Sequence, residues 1–234
     1  MYKAKVLLVF VLMAAIVMPI MAEKIKTCEY KDGVLTDLKL GYTMSIPENW
    51  KVKTFNETAE KPEVLRAFFI QKNYQVNQQA KDLDGDYTIP EIQIYARPLA
   101  NTTPQDFMEE LKNSVLKHNS GDNIISQLNL TLTGEYYSNQ AVMLDSIPVL
   151  QAFFKRNWER HLQASSDDAR YRQYGGLIVQ KIHDVHEVFV FEHNGYLFVI
   201  QAFCEAEFYQ QTASEFTKII GSLDFVDSAP VEPK

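Results

Sequence analysis

The chain has 234 residues, of which 46% are apolar and 12% aromatic, enough for one large domain or two small domains with a buried core. Charged residues make up 23%, glycine and proline number nine each, and no low-complexity tract is present, which excludes widespread disorder, collagen, a coiled coil and a linker protein. The formal net charge of −7 disfavours binding to a phosphate backbone, so we expect no nucleic-acid partner.

Residues 1–22 have the pattern of a secretory signal peptide. Lys3 and Lys5 precede the apolar run Val6–Ile16, and residues 19–22 form a cleavage site that ends on a small residue. The apolar stretch is shorter than the roughly 20 residues that span a bilayer, which favours cleavage over an uncleaved membrane anchor. We therefore expect a periplasmic or secreted protein whose mature chain carries 21 basic and 30 acidic residues, a net charge of −9.

The chain has two cysteines, Cys28 and Cys204. In an oxidising compartment, a disulfide between them would tie the N-terminal segment to a late strand and would stabilise the fold by up to about 5 kcal/mol. Two buried free thiols are the alternative, because the sequence does not give the distance between the two residues.

Four segments in the first half of the chain alternate apolar and polar residues, as half-buried strands do. These segments are Gly41–Ile46, Trp50–Phe55, Leu65–Gln71 and Glu91–Arg97. The first two flank the turn sequence Pro47–Asn49 and are predicted to form a hairpin.

An amphipathic helix is predicted from Thr103 to about His118, because threonine is a preferred N-cap and proline follows at the first helical position. Its apolar side consists of Phe107, Met108, Leu111 and Val115. The stretch Ser126–Thr133 has the most regular alternation in the chain and is predicted to be a strand, with Gln140–Leu144 as its hairpin neighbour.

A second helix is predicted to begin at Ser146–Pro148. Leu150, Phe154, Trp158 and His161 follow at roughly helical spacing.

The last third of the chain is predicted to contain three strands, a closing helix and a short final strand: Gly176–His183, Glu187–Glu192, Tyr196–Phe203, Phe208–Ile220 and Leu223–Phe225. An Asn-Gly pair, the strongest short hairpin signal, joins the second and third strands. Since Tyr196–Ile200 is apolar on both faces, we expect this strand at the centre of the sheet, covered from both sides. Hairpin-linked strands interrupted by about three helices predict an α+β fold with a largely antiparallel sheet, and no break in composition divides it.

The two ends of this predicted domain carry packing and turn residues in a particular order. Leu40–Trp50 combines an alternating strand with a proline and a tryptophan, and Phe203–Phe225 combines a strand, a helix and a Ser-x-x-Phe segment. Together they resemble the PsbP-like (Mog/PsbP-type) superfamily, which includes exported bacterial proteins of unknown role. The resemblance implies a single-domain α/β/α sandwich over residues 23–226 with an accessory or assembly role and no catalysis. Relative to that pattern, residues 147–174 would be a helical and polar insertion and residues 227–234 a disordered tail.

Asp82, Asp84 and Asp86 stand at the first, third and fifth positions of a calcium-loop pattern. Tyr87 replaces the glycine of the sharp turn, and Gln93 replaces the bidentate glutamate, so any Ca²⁺ affinity is expected to be weak. A solvated acidic turn is the alternative. No other cofactor is expected.

Three histidines, His183, His186 and His193, fall among acidic residues on the predicted late strands and could supply zinc ligands. His183 and His186 are an odd number of residues apart, so a regular strand turns them to opposite faces. We therefore favour ordinary polar residues at the surface and sheet edge over a zinc site.

A basic stretch carries the largest local positive charge of this acidic chain, with Lys155, Arg156, Arg160, Arg170 and Arg172. Aromatic residues lie among these cations, and a basic helix of this kind can bind an acidic partner or lie on an anionic membrane surface. Burial of the aromatic residues against the protein's own sheet is the alternative. The candidate partner-binding residues are Phe154, Lys155, Arg156, Trp158 and Arg160.

No nucleophile elbow, phosphate loop, dinucleotide fingerprint or zinc-protease spacing is present, so we expect no enzymatic activity. The first hypothesis is a non-catalytic, exported binding or accessory protein of the cell envelope that acts on a protein or small-ligand partner. A calcium-dependent binding protein is the second. The third, a hydrolase with a scattered active site, would require a deep pocket lined by a histidine and a carboxylate.

Overall fold

The computed structural model describes residues 26–55, 64–72, 88–117, 121–128, 130, 134–144, 146–163 and 177–226. The predicted signal peptide, the Asp82–Asp86 loop, Arg170, Arg172 and the predicted tail lie outside the described residues. Among the described residues, no helix is long and apolar enough to cross a membrane.

The described chain forms eleven strands and three α-helices. In chain order they are β1 Cys28–Lys31, β2 Val34–Asp37, β3 Tyr42–Ser45, β4 Trp50–Thr54, β5 Leu65–Gln71, β6 Glu91–Pro98, α1 Pro104–Lys117, α2 Asn123–Gln127, β7 Gly134–Leu144, β8 Ile147–Gln163, β9 Leu177–His193, β10 Tyr196–Glu205, α3 Tyr209–Ile220 and β11 Asp224–Phe225. A single 3₁₀ turn, Ala206–Phe208, leads into α3.

Two antiparallel sheets form the fold. The large sheet has seven strands in the order β4-β5-β6-β10-β9-β8-β7, and the small sheet has four in the order β1-β2-β3-β11. Strand β10 is the middle strand of the large sheet, as its apolar sequence predicts, and Asn194 and Gly195 take positive φ angles of 48° and 75° in the turn before it. The α+β class with a largely antiparallel sheet is confirmed.

The core has one layer on each side of the large sheet. Helices α1 and α2 pack on one side, here called the helix face, through buried residues that include Phe107, Leu111 and Ile124. The small sheet and α3 cover the opposite side, here called the small-sheet face, through residues that include Tyr42 and Phe216. The large sheet is therefore enclosed between two different layers.

Helix α1 begins as its sequence predicts. Thr103 Oγ1 accepts from the Asp106 backbone N–H at 3.1 Å, and Asp106 Oδ2 accepts from the Thr103 backbone N–H at 3.0 Å. The four predicted apolar positions of this helix, Phe107, Met108, Leu111 and Val115, are all buried.

The predicted hairpin around Pro47–Asn49 is wrong. Both strands exist, but β3 pairs with β2 and β11 in the small sheet, whereas β4 pairs with β5 in the large sheet. The turn between them therefore carries the chain from one sheet to the other.

The helix predicted after Ser146–Pro148 is also wrong, because these residues enter the 17-residue strand β8. Strand β7 pairs with β8, so Gln140–Leu144 is not the neighbour of Ser126–Thr133. The latter segment does not form the predicted strand over its described part: Asn123–Gln127 is helix α2, with Asp122 Oδ1 accepting from two backbone N–H groups at its N-terminus. The two separate strands predicted within 176–192 form the single strand β9.

Of the two alternatives for the cysteines, the structure has the second: Cys28 and Cys204 are buried free thiols and form no disulfide. Each thiol has its own surroundings: Cys28 Sγ lies 3.2 Å from Asp37 Oδ2 in the small sheet, whereas Cys204 on β10 forms a side-chain hydrogen bond with Thr212 of α3. Burial raises the pKa of each thiol to about 12.

Candidate functional site

The helix face of the large sheet carries a group of polar side chains on four adjacent strands, β6, β10, β9 and β8. In the register of the sheet, Arg156 of β8 stands opposite Asp184 of β9, and Phe203 of β10 stands opposite both His186 of β9 and Glu91 of β6. Because directly opposed residues point to the same face, antiparallel pairing collects side chains that are far apart in sequence.

These side chains border a cavity of about 410 Å³ next to α2. This volume lies within the usual range of small-molecule sites. The described residues that line it are Ile70, Thr88, Ile89, Glu91, Gln93, Gln127, Leu128, Arg156, Trp158, His186, Gln201 and Phe203.

A fixed guanidinium forms one wall. Arg156 donates from Nε and Nη2 to the same oxygen of Asp184, Oδ2, at 3.1 and 2.5 Å, and Trp158 Nε1 donates to that oxygen at 2.7 Å. The Asp184 side chain is fully buried and that of Arg156 is 13% exposed. The guanidinium carbon also lies 5.5 Å from the Trp158 ring centroid, within the range of a cation–π contact. Asp184 thus compensates the charge of Arg156 and orients both it and Trp158.

A buried histidine forms the neighbouring wall. Gln201 Nε2 donates to the Leu128 carbonyl at 3.0 Å, which fixes the orientation of its amide, and the same nitrogen lies 2.8 Å from His186 Nδ1. Nδ1 therefore accepts a hydrogen bond. Burial and the nearby charge of Arg156 lower the pKa of His186 well below its ordinary value, so the ring is neutral and its proton is on Nε2.

The Nε2–H group of His186 is buried without a hydrogen-bond partner among the described residues. The His186 ring is 1% exposed and stacks on Phe203 with the two centroids 4.9 Å apart. A buried donor without an acceptor is costly, so this nitrogen is a position at which a bound molecule would gain a hydrogen bond.

The opposite wall is acidic. Tyr95 donates its hydroxyl hydrogen to Gln93 Oε1, and Gln93 Nε2 donates to Glu91 Oε1 at 2.6 Å. Burial raises the pKa of Glu91, and the hydrogen bond from Gln93 opposes this effect in part. Glu91 has no cationic partner in the part of the chain that the structure describes.

The structure separates the five candidate partner-binding residues. Arg156 and Trp158 line the cavity, whereas Phe154 is buried in the core of the helix face. Lys155 is exposed on the small-sheet face, with its Nζ 4.7 Å from the centroid of the Tyr137 ring. Arg160 lies further along β8, opposite Gln180 of β9. The predicted basic helix is wrong, because these residues form strand β8. Alternate residues of a strand face opposite sides, so the five side chains do not share one surface.

Sequence reasoning missed the other polar residues of the cavity, although one of them carries a signal. Gln201 interrupts an apolar strand that is covered on both sides, and a buried amide in such a place requires partners. The prediction that His186 lies at the surface or a sheet edge is wrong, because it is buried on an inner strand.

The zinc hypothesis gains no support from the described residues, which contain no group of three His, Cys, Asp or Glu side chains placed to hold a metal ion. His183 is exposed, with Nδ1 2.6 Å from Asn157 Oδ1, and it lies on the face of β9 opposite to that of His186. The calcium hypothesis for Asp82, Asp84 and Asp86 falls outside the described residues and stays a prediction.

No protein-family model matches the sequence, and no curated protein is significantly similar to it. Among solved structures, the chain is similar to cyanobacterial PsbP (CyanoP) from Synechocystis sp. PCC 6803, with 11% identity over 90% of this chain and 99% of the other and a TM-score of 0.44. It is also similar to Mog1 (11% identity, 80% of this chain and 92% of the other, TM-score 0.41). A further match is LpqN of Mycobacterium tuberculosis, described as involved in cell envelope biogenesis (11% identity, 78% and 81% covered, TM-score 0.39).

A PsbP and Mog1 are also members of the superfamily that the two ends of the sequence resemble. With identities of 11% and TM-scores below 0.5, they carry no conclusion about what the protein does.

Proposed function

We propose that the protein is a non-catalytic binding protein of the cell envelope with an accessory role, and that it binds a small ligand in the cavity on the helix face. The observation that carries this proposal is the buried Nε2–H of His186, which is held in a fixed direction by Gln201 and Phe203 but has no acceptor among the residues that the structure describes. Fixed polar groups beside apolar walls are typical of small-molecule sites.

The chemistry of the wall favours binding over hydrolysis. The cavity does contain a histidine and a carboxylate, as the hydrolase hypothesis requires. However, a general base must accept a proton, and Nε2 of His186 already carries one because Nδ1 accepts from Gln201. Among the described lining residues, Thr88 is the only one with an aliphatic hydroxyl, and its backbone N–H donates to Glu205 Oε1 at 3.2 Å.

The cavity also offers a more specific role for Arg156 and Trp158 than contact with a membrane or a large acidic surface. Both side chains hold Asp184, and a partner that pulled either of them outward would leave a buried carboxylate with fewer donors. Their position supports an enclosed ligand rather than a flat interface.

The test uses a variant that fills the cavity without touching these hydrogen bonds. Gln127 lies on α2, is exposed and lines the cavity, so Gln127→Trp places an indole in its mouth. Ser126→Trp is the matched control, because this neighbouring residue is exposed and does not line the cavity. Both variants are first shown to unfold cooperatively.

Wild type and both variants are incubated with a small-molecule extract of cell envelopes, separated from unbound compounds, denatured and analysed by mass spectrometry. We expect a compound that is retained by wild type and Ser126→Trp but not by Gln127→Trp. Retention of the same compounds by all three proteins, or of none by wild type, would contradict the proposal.

A further inference from the structure

The cavity has a hydrogen-bond-donating end on β8 and β9. One donor is the buried Nε2–H of His186. The other is Arg156 Nη1, because the hydrogen bonds of Arg156 to Asp184 are made by Nε and Nη2. His186 is two residues from Asp184, the residue opposite Arg156, so Arg156 and His186 are diagonal neighbours on the same face. Both groups are donors, and an oxygen atom between them could accept from both.

The cavity has an acidic end on β6. Glu91 and His186 stand opposite the same residue of β10, Phe203, so two strand spacings, roughly 10 Å, separate their backbones. Glu91 Oε1 accepts one hydrogen bond from Gln93, and no cation in the described structure neutralises the carboxylate.

The charge around the cavity is unbalanced. Arg156 is the only cation among the described lining residues, and Asp184 already compensates it. Glu91 therefore leaves an excess of negative charge, which favours a ligand that brings a positive group to β6.

The floor between the two ends is apolar. Phe203 lies midway, half-buried, with its ring stacked on His186, and Ile70 and Ile89 also line the cavity. A flat or aliphatic body would pack here and would span the distance between the donors and the carboxylate.

We infer that the ligand is a small primary amine that also carries a carbonyl or carboxylate oxygen, separated from the amine by a short apolar body. Its oxygen accepts from His186 Nε2–H and Arg156 Nη1, its ammonium group pairs with Glu91, and its apolar body lies on Phe203. This inference rests on the proposed function, because it assigns a ligand class to the same cavity.

The probe is 4-(aminomethyl)benzoate, and its two halves, benzylamine and benzoate, are the reference compounds. Binding is measured by calorimetry with the full mature chain. We expect the two-ended probe to bind at least tenfold more tightly than either half, because only it engages both ends of the cavity. Gln127→Trp should abolish binding, and Ser126→Trp should not.

The variant Glu91→Gln tests the acidic end of the cavity independently of the hydrogen-bond-donating end. This variant should weaken binding of the two-ended probe and of benzylamine by about tenfold while leaving benzoate unchanged or tighter, since the amide cannot pair with an ammonium group. Glu109→Gln, at an exposed position of α1, should change none of the three.

Equal affinities for the three compounds, or an unchanged affinity of the two-ended probe for Glu91→Gln, would overturn the inference. If no probe binds but an extract compound is retained by wild type and lost in Gln127→Trp, the ligand class is wrong and the proposed function stands. If no probe binds and no extract compound is retained, both are wrong.

Discussion

Trp50 Nε1 donates a hydrogen bond to Glu215 Oε2 at 2.9 Å and thereby connects an edge strand of the large sheet to helix α3. The same carboxylate oxygen accepts from Asn49 Nδ2 and Gln71 Nε2, each at 3.2 Å. The Trp50 side chain itself is 1% exposed and packs near Phe216. One carboxylate on α3 therefore satisfies three donors from the β4–β5 region.

Replacing Glu215 should destabilise the protein through these donors. In Glu215→Ala the buried indole N–H loses its acceptor, and we expect the free energy of unfolding to fall by about 2 kcal/mol. Glu207→Ala, at an exposed position in the preceding 3₁₀ turn, should change it by less than about 0.5 kcal/mol. Urea unfolding of the three proteins measures both values, and equal midpoints would contradict the expectation.

Breaking the buried ion pair between Arg66 and Asp37 should lower the free energy of unfolding more than the loss of Glu215 does. Arg66 Nε lies 2.8 Å from Asp37 Oδ2, with side-chain exposures of 1% and 0%. Arg66→Met keeps most of the side-chain volume but leaves a buried carboxylate without its cation, which should cost about 3–5 kcal/mol. Lys51→Met on β4, at an exposed position, is the control and should have little effect. Denaturant unfolding that gives similar losses for the two variants would show that the pair contributes little.

Both thiols should be unreactive in the folded protein. Burial raises the pKa of Cys28 and of Cys204 to about 12, so the reactive thiolate is scarce at neutral pH. Unreduced protein treated with iodoacetamide should gain no label when native and two labels when unfolded in denaturant. An intact mass two hydrogens lower, together with no labelling after unfolding, would demonstrate the disulfide that the structure lacks.

Glu91 should make stability depend on pH. Burial raises its pKa above the ordinary 4.5, so above that pH the folded protein holds this proton more firmly than the unfolded chain. The contribution of Glu91 to the free energy of unfolding therefore decreases as pH rises from 4.5 through its folded-state pKa. Glu91→Gln removes the titration and should become progressively more stable than wild type over this window. Urea unfolding at a series of pH values tests this, and a constant difference would contradict it.

The prediction of a helix where the structure has strand β8 is wrong for a geometric reason. Leu150, Phe154 and Trp158 are spaced by four residues, which places them on one side of a helix. Four is also an even number, so the same residues share one face of a strand. The spacing alone cannot distinguish the two structures, and the pairing of β8 with both β7 and β9 decides between them.

After α1 the opposite error occurs: the alternating pattern predicts a strand at Ser126–Thr133, but the structure has the short helix α2 at Asn123–Gln127. Leu128 and Leu130 alternate with polar residues and are both buried, yet they follow the short helix α2. The sequence does contain one indication of this helix: Asp122, a preferred N-cap residue, stands directly before Asn123–Gln127. The alternating pattern that follows favours a strand instead.

The cavity was predictable only in part. Arg156 and Trp158 stood out in the sequence as a cation and an aromatic residue in one basic stretch, and both line it. Their partners Asp184, His186 and Glu91 come from strands whose register depends on the whole sheet, which no local pattern specifies.

The position of β10 has a consequence for synthesis of the chain. This strand pairs with β9 through a two-residue turn and with β6 through contacts such as Tyr196 with Pro98. A growing polypeptide releases β4, β5 and β6 from the ribosome long before the strand that joins them to the rest of the sheet exists. Their apolar side chains, including Phe69 and Ile94, are then without the layers that bury them in the finished fold. We expect the nascent chain to need a holding chaperone until the C-terminal third emerges, and folding to be completed only after translation ends.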